Sequence, residues 1–290
     1  MDVHRLKIFE DSWNIAIRRE ADIFQDLQTP FHIIQNPKGC WAADPFIIEY
    51  DDHVYVFAEI FGTTVGHGVI GYYDITTSNS IWKPVIIEPF HLSYPHLFEM
   101  NGKVYMIPES NESGSLYLYC ATSFPEKWER IRTLRSNVRF VDTSLFETNG
   151  KLMAITYQVN DNEEYALLLL DIDHPENDKV IDIDNIEYRR PGGRMDASHH
   201  IRVAQDCDGE YGKGLVFYHY QVDDDGNYTE KEISRLYPNQ IILNSKMYLT
   251  GMHTYNRSNN YEVIDLKTRR FNITRLLRRT GKKILNRFSL

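Results

Sequence analysis

The sequence predicts an all-β protein folded as a five-bladed β-propeller, and three observations carry that prediction. One hairpin frame is written three times, at spacings of 50 and 48 residues. No repeat unit shows the 3.6-residue apolar period of an amphipathic helix. Aromatic residues make up 13% of the chain, which favours strands and sites where flat rings meet flat ligand faces.

Taken in order, WNIAI (13–17) and FHII (31–34) precede the repeats and are suited to add strand to the last blade and close a ring. The first copy of the frame is DPFIIEYDDHVYVFAE (44–59), the second begins YPHLFEMNGKVYMIPES (94–110), and the third is VDTSLFETNGKLMAITY (141–157). Each alternates apolar and polar residues around a two-residue turn: Asp51-Asp52, Asn101-Gly102 and Asn149-Gly150. Asn-Gly between such runs is a strong hairpin signal. Further strands follow each hairpin at GVIGYYDI, SLYLYCATS and YALLLLDI. A period of about 50 residues with three or four strands suits a propeller blade. A fourth unit runs from GGRMDASHHIRVAQDC through GLVFYHYQV, and a fifth begins at GMHTYNRSNNYEVIDL. A two-sheet sandwich is the alternative, and three copies in register argue against it.

In a propeller the first strand of each blade lines the axis, and its leading residue opens into a pocket at one face. In register those residues are Asp44, Tyr94 and Asp142. Either Asp alone suits a turn or strand cap; together, from different blades, they place two carboxylates on one cavity. Paired carboxylates are usual equipment for sugar chemistry, because different environments let one carry a proton and the other a charge. Glu59 and Glu109 end equivalent second strands, either lining that cavity or solvated at a strand end. His96 follows Pro95 at the pocket mouth. His199 and His200 are expected on opposite faces of a strand, which argues against a metal pair. FGTTVGHGVIG lacks the Gly-Lys-Ser/Thr ending of a phosphate loop. Cys40, Cys120 and Cys207 have no ligand spacing and read as reduced thiols of a cytosolic protein.

The period and the segments WAADPFIIEYDDHVYVFAE and FVDTSLFETNGK resemble the five-bladed propellers of family 43 glycoside hydrolases. A closer resemblance spans nearly the whole chain. WNIAIR, ADPF, YPHLFE with NGK and IPES, VDTSLFE, RPGGR, AQDC with a following YG, and HTYN are similar to the amino-terminal-type domain of glucosamine inositolphosphorylceramide transferases. Relatives of that domain occur among bacterial surface-polysaccharide gene products. The resemblance to the hydrolases implies that Asp44 is a general base and Asp142 a carboxylate that tunes it. Their general acid, a Glu in the fourth blade, has no counterpart; RRPGGR offers Arg190, Gly192 and Arg194 instead. Arginine does not give up its proton, but it holds phosphate well. The expectation is therefore glycosyl transfer in polysaccharide or glycolipid biosynthesis from a phosphate-activated donor, a nucleotide sugar, to a carbohydrate or lipid-linked acceptor. Tyr94, His96 and Glu109 would line the substrate pocket, and Arg194 with His253 would hold the phosphate. No metal or other cofactor is implied. The alternatives are a hydrolase of the family 43 type and a noncatalytic carbohydrate-binding module.

Charge divides the chain. Residues 266–290 hold nine Lys/Arg and no acid, leaving 23 basic against 41 acidic residues, a charge of −18, on residues 1–265. An acidic body argues against a nucleic-acid partner. The expected domains are a catalytic propeller at 1–265 and a basic amphipathic tail at 266–290. In the tail, Ile273, Leu277, Ile284 and Phe288 would share one face of a short C-terminal helix. Such a helix suits an anionic membrane surface, placing the protein at the inner face of the cell membrane. No secretory h-region opens the sequence, and no run of about 18 apolar residues occurs in it.

Overall fold

Each repeated hairpin becomes the two inner strands of a blade in the structure, a computed structural model that describes residues 9–19, 22–62, 66–160, 164–223 and 226–271. Blade 1 is Cys40–Tyr50, His53–Gly62, Gly68–Asp74 and Lys83–Ile86. Blade 2 is Ser93–Met100, Lys103–Glu109, Ser115–Ser123 and Lys127–Ser136. Blade 3 is Phe140–Thr148, Lys151–Val159, Tyr165–Asp171 and Lys179–Ile181. Blade 4 contains Ile201–Asp206, Gly214–Val222 and Tyr228–Leu236, with an irregular inner edge held by bridges Pro191 to Ala204 and Asp196 to Ile201. All three predicted turns have both residues at positive φ, so Asp51-Asp52 (49° and 61°) adopts the same primed turn as Asn101-Gly102 (53° and 69°).

Blade 5 closes the ring. Its Tyr255–Arg257 and Tyr261–Phe271 are joined by Phe9–Arg19 and His32–Ile34 from the start of the chain. Phe9–Arg19 pairs along its whole length with Tyr261–Phe271, as the segments 13–17 and 31–34 predict. The last strand runs to Phe271, so the expected boundary at 265 falls inside it. Residues 272–290, with the expected amphipathic helix, lie outside the described residues. Among the described residues no helix is long and apolar enough to cross a membrane.

Each blade is packed on both faces, which explains why its strands are apolar on both sides. The five main apolar clusters each lie between neighbouring blades; Ile15 and Val263 of blade 5, for example, meet Ile47 and Val56 of blade 1. Removing side-chain volume at the closure should therefore loosen the ring as a whole. Ile15→Ala, at a fully buried position, is expected to cost about 2–5 kcal/mol by chemical denaturation. Ile87→Ala, at a 67% exposed position, should stay within about 0.5 kcal/mol.

Candidate active site

The leading residues share a backbone irregularity that the sequence register only hints at. Asp44, Tyr94 and Asp142 sit at φ 52°, 43° and 52°, in the left-handed region that residues other than glycine seldom adopt. At each, strand pairing skips: between Ala43 and Phe46, Ser93 and His96, and Val141 and Ser144. Each inner strand thus carries one extra residue there, two residues facing one on the partner strand, and this bulge re-aims the leading residue towards the axis. Left-handed backbone at such residues costs on the order of 1–3 kcal/mol and persists only where neighbours hold it.

What holds it is a relay of carboxylates, each from the preceding blade. The Asp44 N–H donates to Asp265 Oδ2 at 3.1 Å. The Tyr94 N–H donates to Asp44 Oδ2 at 3.3 Å, and the Asp142 N–H to Glu109 Oε2 at 3.2 Å. Asp44 Oδ1 also accepts from Thr254 Oγ1 at 2.9 Å and lies 3.7 Å from His253 Nδ1. His253 Nδ1 is held by Asp265 at 2.5 Å, and its ring stacks on Trp13 at 3.9 Å between centroids. Tyr211 meets the same imidazole edge-on, and Gly212, at φ 66°, lies so close to Trp13 that a Cβ would come within 2.7 Å of the ring. Asp142 accepts from Arg190 Nε and, at 2.7 Å, from Gln205 Nε2.

Burial drives the electrostatics. Asp44 is pushed up to about 6, chiefly by loss of water, with His253 opposing and the charges of Asp142 and Asp265 adding. Glu109 is raised well above the carboxylate range by burial and by Asp142's charge, against the pull of Arg190; its hydrogen bond to the Asp142 side chain works the same way. Burial depresses the His253 imidazole, but Asp265 and Asp44 outweigh it and the net shift is upward. Glu59, aligned with Glu109 in the register, is also raised by burial; its Oε1 has no hydrogen-bond partner and lies 3.4 Å from His91 Nε2. Asp44 with its raised proton affinity can accept a proton near neutrality, and Glu109 can carry one. Asp44, His253 and Asp265 hold ligand atoms within 4.8 Å of one another. Thr254 and the Tyr94 N–H donate to the Asp44 oxygens, and the His253 ring and backbone N–H donors to those of Asp265.

The structure brings Asp44, Asp142, Glu109 and His253 together and takes the other predicted residues elsewhere. Tyr94 is fully buried; its hydroxyl meets Ser144 Oγ at 2.7 Å and donates to the Gly193 carbonyl at 3.0 Å, so the ring fills the channel below the acids. His96 lies deeper, 1% exposed against Phe46. Arg194 donates to the Leu97 carbonyl, three residues below Tyr94, and so runs towards the opposite end of the channel. His199 and His200 lie in an exposed turn rather than a strand. Sequence reasoning left Asp265, Gln205, Trp13 and Tyr211 without site roles; the available signals were the AQDC and WNIAIR motifs and the alignment of Asp265 with Glu59 and Glu109 on second strands.

Fold and site together define a five-bladed propeller with a cluster of buried carboxylates from neighbouring blades. The chain belongs to the family described as glucosamine inositolphosphorylceramide transferase 1, N-terminal, which it matches over residues 34–241. It is 35% identical over 113 residues to glucosamine inositolphosphorylceramide transferase 1 of Arabidopsis thaliana, covering 38% of this chain and 15% of that protein. To the protein of the same name from Oryza sativa subsp. indica it is 30% identical over 195 residues, covering 61% of this chain and 26% of that one. The chain thus matches about a quarter or less of the length of these relatives. Among solved structures it is similar to an alpha-L-arabinofuranosidase from Lactobacillus brevis, with TM-score 0.55, 13% identity and coverage of 77% and 82% of the two chains. It is also similar to CoXyl43, a GH43 beta-xylosidase/alpha-arabinofuranosidase from a compost metagenome, with TM-score 0.52, 11% identity and coverage of 80% and 91%. At these identities the likeness is one of fold.

Arg190 is the permanent cation paired with Asp142. Arg190→Met keeps the stem but leaves Asp142, whose side chain is 2% exposed, without its countercharge. The expected cost is about 3 kcal/mol at pH 7, read from urea denaturation. Glu109→Gln retains an acceptor for the Asp142 N–H and should stay within about 1 kcal/mol.

Proposed function

We propose that this propeller transfers glycosyl groups in polysaccharide or glycolipid assembly, with Asp44 as the base. The observation that supports this most directly is Asp44 itself: buried, raised to about 6, and sharing its left-handed backbone conformation with Asp142 of another blade, whose charge adds to that rise. In the step, an acceptor hydroxyl oxygen forms a bond to the anomeric carbon while its proton passes to Asp44. The bond from that carbon to the leaving group breaks, and the leaving group departs with the electron pair. A phosphate leaving group, as in a nucleotide sugar, departs without a proton, and a cation near it suffices. A cavity of about 630 Å³ beside Glu109, lined by His67, His91 and Arg139 among others, has room for a sugar, and Arg139 supplies such a cation. Arg190 takes the place expected of Arg194 in this reading. The excess of basic residues beyond 266 fits work beside an anionic membrane surface.

Glu109 favours a second reading. A carboxyl that keeps its proton can protonate a sugar leaving group, which is what hydrolysis of a glycoside requires. The two readings separate on Glu109→Gln. Turnover of nucleotide sugars with an acceptor should survive that change, whereas turnover of alkyl or aryl glycosides in water should fall by about 10²-fold or more. Under both readings Asp44→Asn should lose roughly 10²–10⁴-fold in kcat. The wild-type rate should climb as pH rises through about 6, because the base must be unprotonated. Binding of sugars that persists in Asp44→Asn, with no turnover of any donor or glycoside by the wild type, would overturn both.

A further inference from the structure

The inner strands have a second end, next to the hairpin turns. From Asp44 to Tyr50 is six residues, about 20 Å of strand, so this end opens on the opposite face from the acids. A cavity of about 440 Å³ lies there, lined by His96, Arg194, Glu49, Glu99, Glu147 and Asn259 among others. A second cavity of the same volume continues past Arg194 along Asp196, Ser198 and Asn256.

Arg194 is set apart from the other arginines of the interior. Arg18 pairs with Glu262, Arg135 with Asp178, Arg190 with Asp142 and Arg202 with Glu230. Arg194 has no acidic partner among the described residues; its guanidinium donates to the Leu97 carbonyl, and its backbone N–H to Asn256 Oδ1. A guanidinium set inside a protein ordinarily has a counter-anion, because leaving it unpaired forfeits hydration without return. Next to it is His96, 1% exposed, with its Nδ1 buried and without a hydrogen-bond partner. Buried polar atoms are seldom left so, and a neutral imidazole can present an N–H from that position. A cation without a countercharge and an imidazole with an unused nitrogen belong to one cavity wall.

We propose that the far mouth of the channel is an anion site, separate from the acidic pocket, in which Arg194 and His96 together bind a carboxylate or phosphoryl oxygen. The wall restricts what carries that group. Glu49, Glu99 and Glu147 occupy the same position in three repeats; Glu49 already accepts from the Asn260 N–H and side chain, while Glu99 and Glu147 are exposed. Carboxylates on the rim repel an extended polyanion and accept from hydroxyls. The ligand class is therefore a small hydroxylated molecule with one anionic group, held anion inward.

The test is thermal unfolding of the whole chain at constant ionic strength with inorganic phosphate, acetate or glucose. Either anion should raise the midpoint by a few degrees at saturation, and glucose alone should not. A shift with phosphate only assigns a phosphoryl ligand, and one with acetate only a carboxylate. The shift should persist in Asp44→Asn, vanish in Arg194→Gln and be reduced in Arg194→Lys. If Arg194→Gln does not fold, the His96 ring resonances of the wild type must move on adding the anion. No shift with either anion, an equal shift in Arg194→Gln, or loss of the shift in Asp44→Asn would overturn the proposal. None of those results bears on whether Asp44 is a base, which is read from turnover.

Discussion

The site depends on one backbone event repeated around the ring: a left-handed residue at the head of an inner strand whose N–H is received by a carboxylate of the blade before. Asp265 receives Asp44, Asp44 receives Tyr94, and Glu109 receives Asp142. The bulge turns each leading side chain out of the sheet, and the acceptor fixes it there. The same carboxylates that fix the backbone are the candidates for chemistry. Scaffold and reactive group are therefore not separable at Asp44, which holds Tyr94 in place with one oxygen and meets Thr254 with the other.

Such a relay concentrates negative charge where water is scarce. Asp44, Glu59, Glu109, Asp142 and Asp265 are all less than 10% exposed. Five acids so placed cannot all be ionised cheaply, and the cations near them, Arg190 and His253, are two. Protons make up part of the difference. Asp44, Glu59 and Glu109 are displaced upward, while His253 is held towards its charged form by the carboxylates it touches. A set of neighbouring groups with divided protonation is what an acid–base reaction needs. It arises here from burial before any substrate is present.

Much of this was legible in the sequence because the repeats carry it. Turn chemistry and alternation are local, so the hairpins, the ring and the alignment of Asp44 with Asp142 could be read from three copies of one frame. The partners of those acids were harder to read because they come from blades 4 and 5, where the frame decays. His253 lies just before the short strand Tyr255–Arg257 and Asp265 on the strand that pairs with it, with no copy of the repeated hairpin turn between them, and Gln205 sits in a motif that reads as a turn. The exchange of Arg194 for Arg190 has a specific cause. Between them runs Pro191-Gly192-Gly193, threaded so tightly that a Cβ at Gly193 would lie 1.9 Å from the Tyr255 carbonyl oxygen. This passage sends one arginine to the acids and the other to the far mouth. Tyr94 is a leading residue, as the register predicts, but its side chain turns down the channel to Ser144 and Gly193.

The central claim is that acids from different blades share one environment, and the titration of Asp44 measures it. Carbon-13 NMR of the aspartate carboxyls, in the wild type and in Asp142→Asn, follows that group directly. The expected midpoint is near 6 in the wild type and falls when Asp142 loses its charge, the remaining elevation being due to burial. A midpoint at the ordinary aspartate value of about 3.9, unmoved by Asp142→Asn, would show that the two carboxylates do not meet.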